Sequence, residues 1–163
     1  MSERIALIGA GVMGGAIGTR LLETGNTLKV FDLDTDKMAE LVAKGAKAAD
    51  SAAHASQNVD FVITSLNASR IVGLAAFGKD GIVEGAAKGT VIIDMSSIEP
   101  DATQKFARMA AEKGLAWVDS PLSGGVPKAL TGELTLMAGG DAADVARAHM
   151  VLKHVAANYT HMG

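Results

Sequence analysis

The sequence predicts an α/β protein built on a doubly wound, mainly parallel sheet with helices on both faces. Three observations carry that expectation. Short apolar runs alternate with amphipathic helical patterns from one end of the chain to the other, the order of repeated strand–helix–strand units. The runs are rich in Val, Ile and Phe and do not alternate with polar residues, as expected of strands covered on both faces. The first run passes through a cluster of glycines straight into a helical pattern, and then into a second run that ends on an acid.

Taken in order, Ile5 to Ile8 reads as the first strand, Val12 to Glu23 as a helix and Gly25-Asn26 as the break that ends it. Thr27 to Asp32 is the second strand. Thr35 to Val42 places Met38, Leu41 and Val42 on one helical face, and Gly45 stops that helix. Ala46 to Ala49 suits a short strand, and the Ser51 hydroxyl suits the N-cap of a small helix reaching Gln57. Val59 to Thr64 is a buried strand, Ser69 to Phe77 a helix, Gly78 to Gly81 a loop, and Thr90 to Asp94 another buried strand. Pro100 is a favoured first helical residue, and Ala102, Phe106, Met109 and Ala110 share one side of the helix it opens, which Gly114 ends. Leu115 to Asp119 returns to the sheet. Ser120 to Gly132 carries glycines and a proline and is expected to be irregular. Leu134 to Ala138 is a strand, Asp141 to Lys153 a helix with Val145, His149 and Leu152 aligned, and Val155 to Thr160 a last short strand. No internal repeat or linker interrupts the pattern, so residues 1–163 read as one domain.

The segment Gly9-Ala10-Gly11-Val12-Met13-Gly14 is where this pattern acquires chemistry. Gly9 allows a tight turn out of the strand, Gly11 has no side chain to hold off a pyrophosphate, and Gly14 lets the helix pack close. The free N–H groups and positive dipole end of the helix that begins near Val12 then favour phosphate. Asp32, at the end of the second strand, stands where an acid hydrogen-bonds a ribose hydroxyl. The expected ligand is therefore a dinucleotide held in a Rossmann-like cradle. Leu33, Asp34, Thr35 and Asp36 follow with no arginine to receive a 2′-phosphate, and two like charges about 4 Å apart repel by roughly 4 kcal/mol near a protein surface. NAD is expected over NADP.

Composition narrows the remaining classes. Hydrophobic residues make up 48%, charged residues 20% and the net charge is −3, which suits a globular chain with no basic face for nucleic acid. No apolar run approaches the roughly 18 residues of a membrane span. Met1-Ser2-Glu3-Arg4 runs directly into a strand, leaving no room for a signal peptide, so a cytoplasmic location is the expectation. The absence of cysteine excludes disulfides, thiolate catalysis and cysteine zinc sites, and the four histidines share no metal-ligand spacing, so no metal is expected. Aromatic content of only 4% reflects an Ala-, Gly-, Val- and Leu-rich chain, part of it suited to an apolar surface for a partner domain.

In such sheets ligands bind beyond the carboxyl ends of the strands. The glycine turn, Ser65-Leu66-Asn67, Met95-Ser96-Ser97 and Ser120 to Gly125 all fall there, bringing hydroxyls and bare backbone amides to one edge. Taken singly, each is also an ordinary turn or cap. Together with the glycine turn, Asp94-Met95-Ser96-Ser97, Asp119-Ser120-Pro121-Leu122-Ser123-Gly124-Gly125, Gly132-Glu133-Leu134 and Met137-Ala138-Gly139-Gly140 resemble the β-hydroxyacid dehydrogenases, across essentially the whole chain. That family includes 3-hydroxyisobutyrate dehydrogenase and tartronate semialdehyde reductase and is related to 6-phosphogluconate dehydrogenase.

The resemblance implies specific roles. The turn from Gly9 through Ala10, Gly11, Val12 and Met13 to Gly14 would hold the pyrophosphate and Asp32 the adenosine ribose. Leu66 and Asn67 match a cofactor-contacting turn, although proline is usual where Asn67 stands, and Ser97 matches a hydroxyl residue near the nicotinamide. Ser123, Gly124 and Gly125 match the segment that binds a small carboxylate substrate. The family's proton-transferring lysine belongs to a Lys-x-x-Asn pattern after the last strand of the cofactor domain, and no lysine follows Lys153 here, so no catalytic residue is expected within residues 1–163. Lys153 itself suits a helix C-terminus. The all-helical second domain, which supplies most dimer contacts in the full-length form, is likewise expected to be missing, as part of the same chain or as a partner. The competing reading is a stand-alone, non-catalytic NAD-binding module acting through a partner; the Ser123-Gly124-Gly125 segment argues against it. An S-adenosylmethionine or mononucleotide site is less favoured, because no Gly-Lys-Ser/Thr P-loop is present.

Overall fold

The computed structural model describes residues 2–163. Strand β1 (Arg4–Ile8) leads into helix α1 (Val12–Glu23), then β2 (Thr27–Phe31), α2 (Thr35–Ala43) and the two-residue β3 (Lys47–Ala48). Helix α3 (Ala52–Ala55), β4 (Phe61–Thr64), α4 (Ser69–Phe77), α5 (Ile82–Gly85), β5 (Val91–Asp94), α6 (Pro100–Glu112) and β6 (Ala116–Asp119) continue the alternation. The chain closes with β7 (Leu122–Ser123), α7 (Gly125–Thr131), β8 (Leu134–Ala138), α8 (Ala142–Leu152) and β9 (Ala156–His161).

Six strands form one parallel sheet in the order β3-β2-β1-β4-β5-β6. The central strands β1, β4 and β5 present buried residues to both faces by alternation. Ile5 and Leu7 of β1, Phe61 and Ile63 of β4, and Val91 and Ile93 of β5 enter one core with Ile17 and Leu21 of α1, Leu41 of α2 and Val151 of α8. Ala6, Ile8, Val62 and Ile92 point the other way, against Ala52 of α3, Val72 and Ala76 of α4, Ile82 of α5 and Phe106 of α6. The two helical layers are what make β1, β4 and β5 nearly continuous apolar runs. The expected Rossmann-like doubly wound α/β sheet is therefore the observed fold.

Several local expectations hold for the stated physical reason. Ser51 caps α3 by accepting a hydrogen bond from the His54 N–H at 2.9 Å, and Pro100 occupies the first turn of α6. The differences lie towards the C-terminus. Ser120 to Gly132 is ordered as β7 and α7, because Pro127 lies in the first turn of α7, where no intrahelical donor is lost, and Gly132 ends the helix with φ +76°. The short helix α5 was hidden in a stretch that has too few residues to show a helical period. Finally, β7, β8 and β9 do not extend the parallel sheet. They make a separate three-stranded sheet, β7 antiparallel and β9 parallel to β8, joined to β6 by the pair of bonds between Asp119 and Gly139.

Candidate functional site

The strand order reverses between β1 and β4: β2 and β3 lie to one side of β1, and β4, β5 and β6 to the other. At such a switch point successive crossovers run to opposite faces, and a crevice opens beyond the carboxyl ends of the two strands. Register keeps those ends level. Ile8 pairs with both Phe31 and Thr64, Thr64 pairs with Asp94, and Asp94 pairs with Asp119. The Ser65, Met95 and Ser120 N–H groups each donate to a neighbouring strand's last residues, at 3.0, 2.9 and 2.8 Å, so the turns start from one rigid edge.

The glycine turn flanks the crevice, and its three glycines have three different surroundings. Gly9 has φ +102°, and an added Cβ would lie 2.2 Å from the Ser65 carbonyl oxygen, so this turn touches the turn after β4. A Cβ on Gly14 would lie 2.0 Å from the Gly9 carbonyl oxygen, which fixes the helix start onto the turn. The Gly14 Cβ position is also 3.5 Å from the Ser65 Cβ, so the helix start lies close to the ends of β1 and β4, and Gly18, whose Cβ position is 3.0 Å from both Leu7 and Leu41, continues that close approach one turn on. Gly11 differs from all of these: its Cβ position has nothing within 4 Å. Among the described residues no side chain caps the start of α1 and its first turn holds no acidic residue, so the helix's leading N–H groups are not taken up by a side chain. That is a cradle suited to phosphate, and Gly11 has φ −67°, ordinary backbone that glycine is not needed to reach.

Asp32 joins this turn to the end of β2. One carboxylate oxygen accepts the Ala10 N–H at 2.7 Å and the other the Asp34 N–H at 2.9 Å. Two of about four acceptor positions are then used, which leaves acceptor capacity on the carboxylate for further hydroxyl or N–H donors. An open hollow of about 550 Å³ runs beside it, walled by Phe31, Leu33, Met38 and Ala49. A second groove of about 490 Å³ shares Ala10, Gly11 and Val12 with the cradle and continues between α1 and α2 to Val126 and Leu130 of α7. Val12 is exposed, while Met13 is half-buried.

The other sequence-predicted residues lie on the same edge with less support. Leu66 is half-buried, and Asn67 and Ser97 are exposed on the turns after β4 and β5. Ser123, the last residue of β7, Gly124 and Gly125, the first residue of α7, are exposed, and Gly124 (φ +133°) and Gly125 (φ +72°) adopt backbone that side-chain-bearing residues rarely reach. Helix α7 packs on α1, which brings this segment to the flank of the glycine turn.

Sequence reasoning missed a polar row behind these turns. Thr64, Asp94 and Asp119 end β4, β5 and β6 in register. Thr64 Oγ1 donates to Asp94 Oδ1 at 2.7 Å, and the Ser96 N–H donates to the same oxygen at 3.0 Å. Ser96 Oγ in turn accepts the Leu66 N–H at 2.9 Å. Asp94 is fully buried and its Oδ2 has no partner among the described residues; burial raises its pKa, opposed by the Thr64 and Ser96 bonds. Asp119, half-buried, is pushed up to about 6 by burial first and by the Asp94 charge second. Thr103 Oγ1 opposes this weakly, since it makes no bond of good geometry to the carboxylate. The signal was present in sequence: VDFVIT, TVIID and LAWVD each end an apolar run on a polar residue.

The known protein family matching this chain is described as the NAD binding domain of 6-phosphogluconate dehydrogenase, and the match covers residues 4–163. The chain belongs to that family. It is 41% identical over 161 residues to NAD-dependent L-serine dehydrogenase of Pseudomonas aeruginosa, covering 99% of this chain and 54% of that protein. It is 40% identical to 3-hydroxyisobutyrate dehydrogenase of the same organism, covering 98% of this chain and 53% of the relative. Among solved structures, Mycobacterium tuberculosis 3-hydroxyisobutyrate dehydrogenase with L-serine superposes with a TM-score of 0.94 at 31% identity, over 100% of this chain and 55% of the other. The chain thus spans about half the length of the relatives it matches. As a member of this family it is an NAD(P)-binding domain of the dehydrogenase type, and among the described residues no helix is long and apolar enough to cross a membrane.

Proposed function

We propose that residues 1–163 act as one domain, the cofactor-binding half of an oxidoreductase that transfers a hydride between NAD and a small β-hydroxyacid or its semialdehyde. The observation that carries the cofactor reading is the open space at the Gly11 Cβ position between two glycines locked against carbonyl oxygens. A pyrophosphate laid there meets the uncapped N–H groups of α1, whose dipole favours its charge. The substrate reading is supported by the names of the relatives, an L-serine and a 3-hydroxyisobutyrate dehydrogenase, and by the resemblance of the Ser123-Gly124-Gly125 segment to a carboxylate clamp.

In this reading NAD supplies the hydride-accepting carbon, and the chain's own residues bind and orient it. The Gly9–Gly14 turn holds the pyrophosphate, with Ala10, Val12 and Met13 contributing backbone. Asp32 accepts from the adenosine ribose and disfavours a 2′-phosphate, with Asp34 close behind. Leu66, Asn67 and Ser97 contact the nicotinamide half, and Ser123, Gly124 and Gly125 take the substrate carboxylate. Proton transfer to or from the substrate hydroxyl needs a further group, which the family resemblance places on a lysine outside residues 1–163. The 163 residues alone therefore bind NAD without turnover, and a helical domain, in the same chain or as a partner, completes the pocket and the oligomer.

The test is a titration of this chain with NADH and NADPH, followed by nicotinamide fluorescence, with a parallel assay of hydroxyacid oxidation. Tighter binding of NADH and no turnover is the expected result. Equal affinities would remove the assigned role of Asp32, and turnover near 1 per second would place the proton-transferring group within these residues. Binding of neither nucleotide would overturn the reading as a whole.

A further inference from the structure

The polar row behind the crevice is unexpected on packing grounds alone. Val91, Ile92 and Ile93 of β5 are fully buried and apolar, yet the strand ends on a carboxylate that is also fully buried. Removing a carboxylate from water is costly unless hydrogen bonds replace its hydration, and one oxygen of Asp94 has none among the described residues. The other oxygen gathers two donors from two different segments, Thr64 at the end of β4 and Ser96 in the turn after β5. Ser96, itself only 3% exposed, then returns to the first segment by accepting the Leu66 N–H. The bonds Thr64–Asp94, Asp94–Ser96 and Ser96–Leu66 close a ring with the Thr64–Leu66 backbone. This ring ties the turn carrying Asn67 to the turn carrying Ser97.

We infer that Asp94 and Ser96 are positioning residues for the nicotinamide half of the site, holding the turns that carry Asn67 and Ser97 in register with each other. The inference rests on the dinucleotide reading above. Neither residue is placed against the cofactor; both act through the turns. The adenosine half, built from the Gly9–Gly14 turn and Asp32, meets this ring through the packing of Gly9 on the Ser65 carbonyl and, among the described residues, shares no hydrogen bond with the Asp94 or Ser96 side chain, so opening the ring acts first on the nicotinamide half. Asparagine keeps an oxygen in the place of Oδ1, able to accept from Thr64 and from the Ser96 N–H, which makes Asp94→Asn the conservative variant.

The experiment compares NADH with ADP-ribose, which lacks the nicotinamide, on the 163-residue chain and on Ser96→Ala, Asp94→Ala and Asp94→Asn. Loss of one such bond corresponds to roughly a five- to tenfold change in affinity. The expected result is that Ser96→Ala and Asp94→Ala weaken NADH by that factor while ADP-ribose stays within about twofold, and that Asp94→Asn recovers most of the loss. If Asp94→Ala fails to fold, Ser96→Ala, which removes no buried volume beyond one oxygen, decides the matter alone. Equal losses for both ligands would show a general effect on the fold and overturn the inference, as would unchanged NADH affinity in Ser96→Ala. A parent chain that binds NADH and ADP-ribose while the variants do the same leaves the dinucleotide reading standing and removes only the positioning role; a parent chain that binds neither removes both.

Discussion

The two halves of the crevice are built from different materials. On the β1 side the backbone makes the site: glycines, helix N–H groups and one carboxylate that accepts two main-chain donors. On the β4–β5–β6 side, side chains make it, through a row of buried Thr64 and Asp94 and half-buried Asp119, and the Ser96 hydroxyl behind two exposed turns. Backbone construction tolerates almost no added atom, because the partners are carbonyl oxygens that cannot rotate away. Side-chain construction tolerates more, since a lost hydroxyl leaves the strands paired, and its consequences show in alignment before they show in stability.

The largest contrast lies within the glycine turn. Gly14→Ala places a Cβ 2.0 Å from the Gly9 carbonyl oxygen. It is expected to cost about 3 kcal/mol, read as a fall of roughly 6–12 °C in Tm. Gly11→Ala meets nothing within 4 Å and should leave stability within about 0.5 kcal/mol, while NADH affinity falls about tenfold or more. If urea unfolding found the two variants equally damaged, the assignment of Gly11 to the ligand rather than to the fold would fail. Asp32→Arg with Asp34→Asn removes the like-charge repulsion toward a 2′-phosphate and should move the NADPH to NADH affinity ratio about tenfold towards NADPH. An unchanged ratio would place the ribose elsewhere.

On the side-chain half, pH gives a sharper handle. The folded Asp119 holds its proton up to about pH 6, above its ordinary 3.8, so the folded state binds more protons than the unfolded chain in that window. Its contribution is fully present below pH 3.8 and is lost as pH rises through about 6. Asp119→Asn should therefore gain stability at pH 7.5 relative to pH 5, by about 1 kcal/mol once solvent screening of a half-exposed group is allowed for. Denaturant titrations at the two pH values check it, and parallel pH profiles in parent and variant would contradict the raised pKa of Asp119. The smallest effect is expected at Ser123→Ala. This residue is proposed for the substrate side, and NADH affinity should stay within about twofold by isothermal titration; a larger loss would bring the segment into the cofactor half.

The uneven legibility of the molecule follows the same division. The sheet and its two helical layers were readable because runs such as Val91 to Asp94 are apolar on every residue, which only a doubly covered strand needs. The glycine turn was readable because tight turns and close approach demand glycine at particular places in a short segment, and α1 follows at once. The division of labour inside it was not. Gly14 and Gly18 look alike in sequence, and only their neighbours, the Gly9 carbonyl for one and Leu7 with Leu41 for the other, separate their roles. The segment from Ser120 to Gly132 was misread because Pro127 is a breaker in general and harmless in a first helical turn.

Sequence by itself thus determined the α/β class, the strand order's local units and the place of the glycine cradle, because each depends on residues close together in the chain and on backbone stereochemistry. Tertiary structure alone decided that β7, β8 and β9 leave the main sheet, that Thr64, Asp94 and Asp119 stand side by side, and that Ser96 reaches Leu66. Those relations join residues some 30 positions apart in the chain, as in the Leu66–Ser96 bond, and are set by strand register, a cooperative property of the whole sheet that no local window of sequence contains.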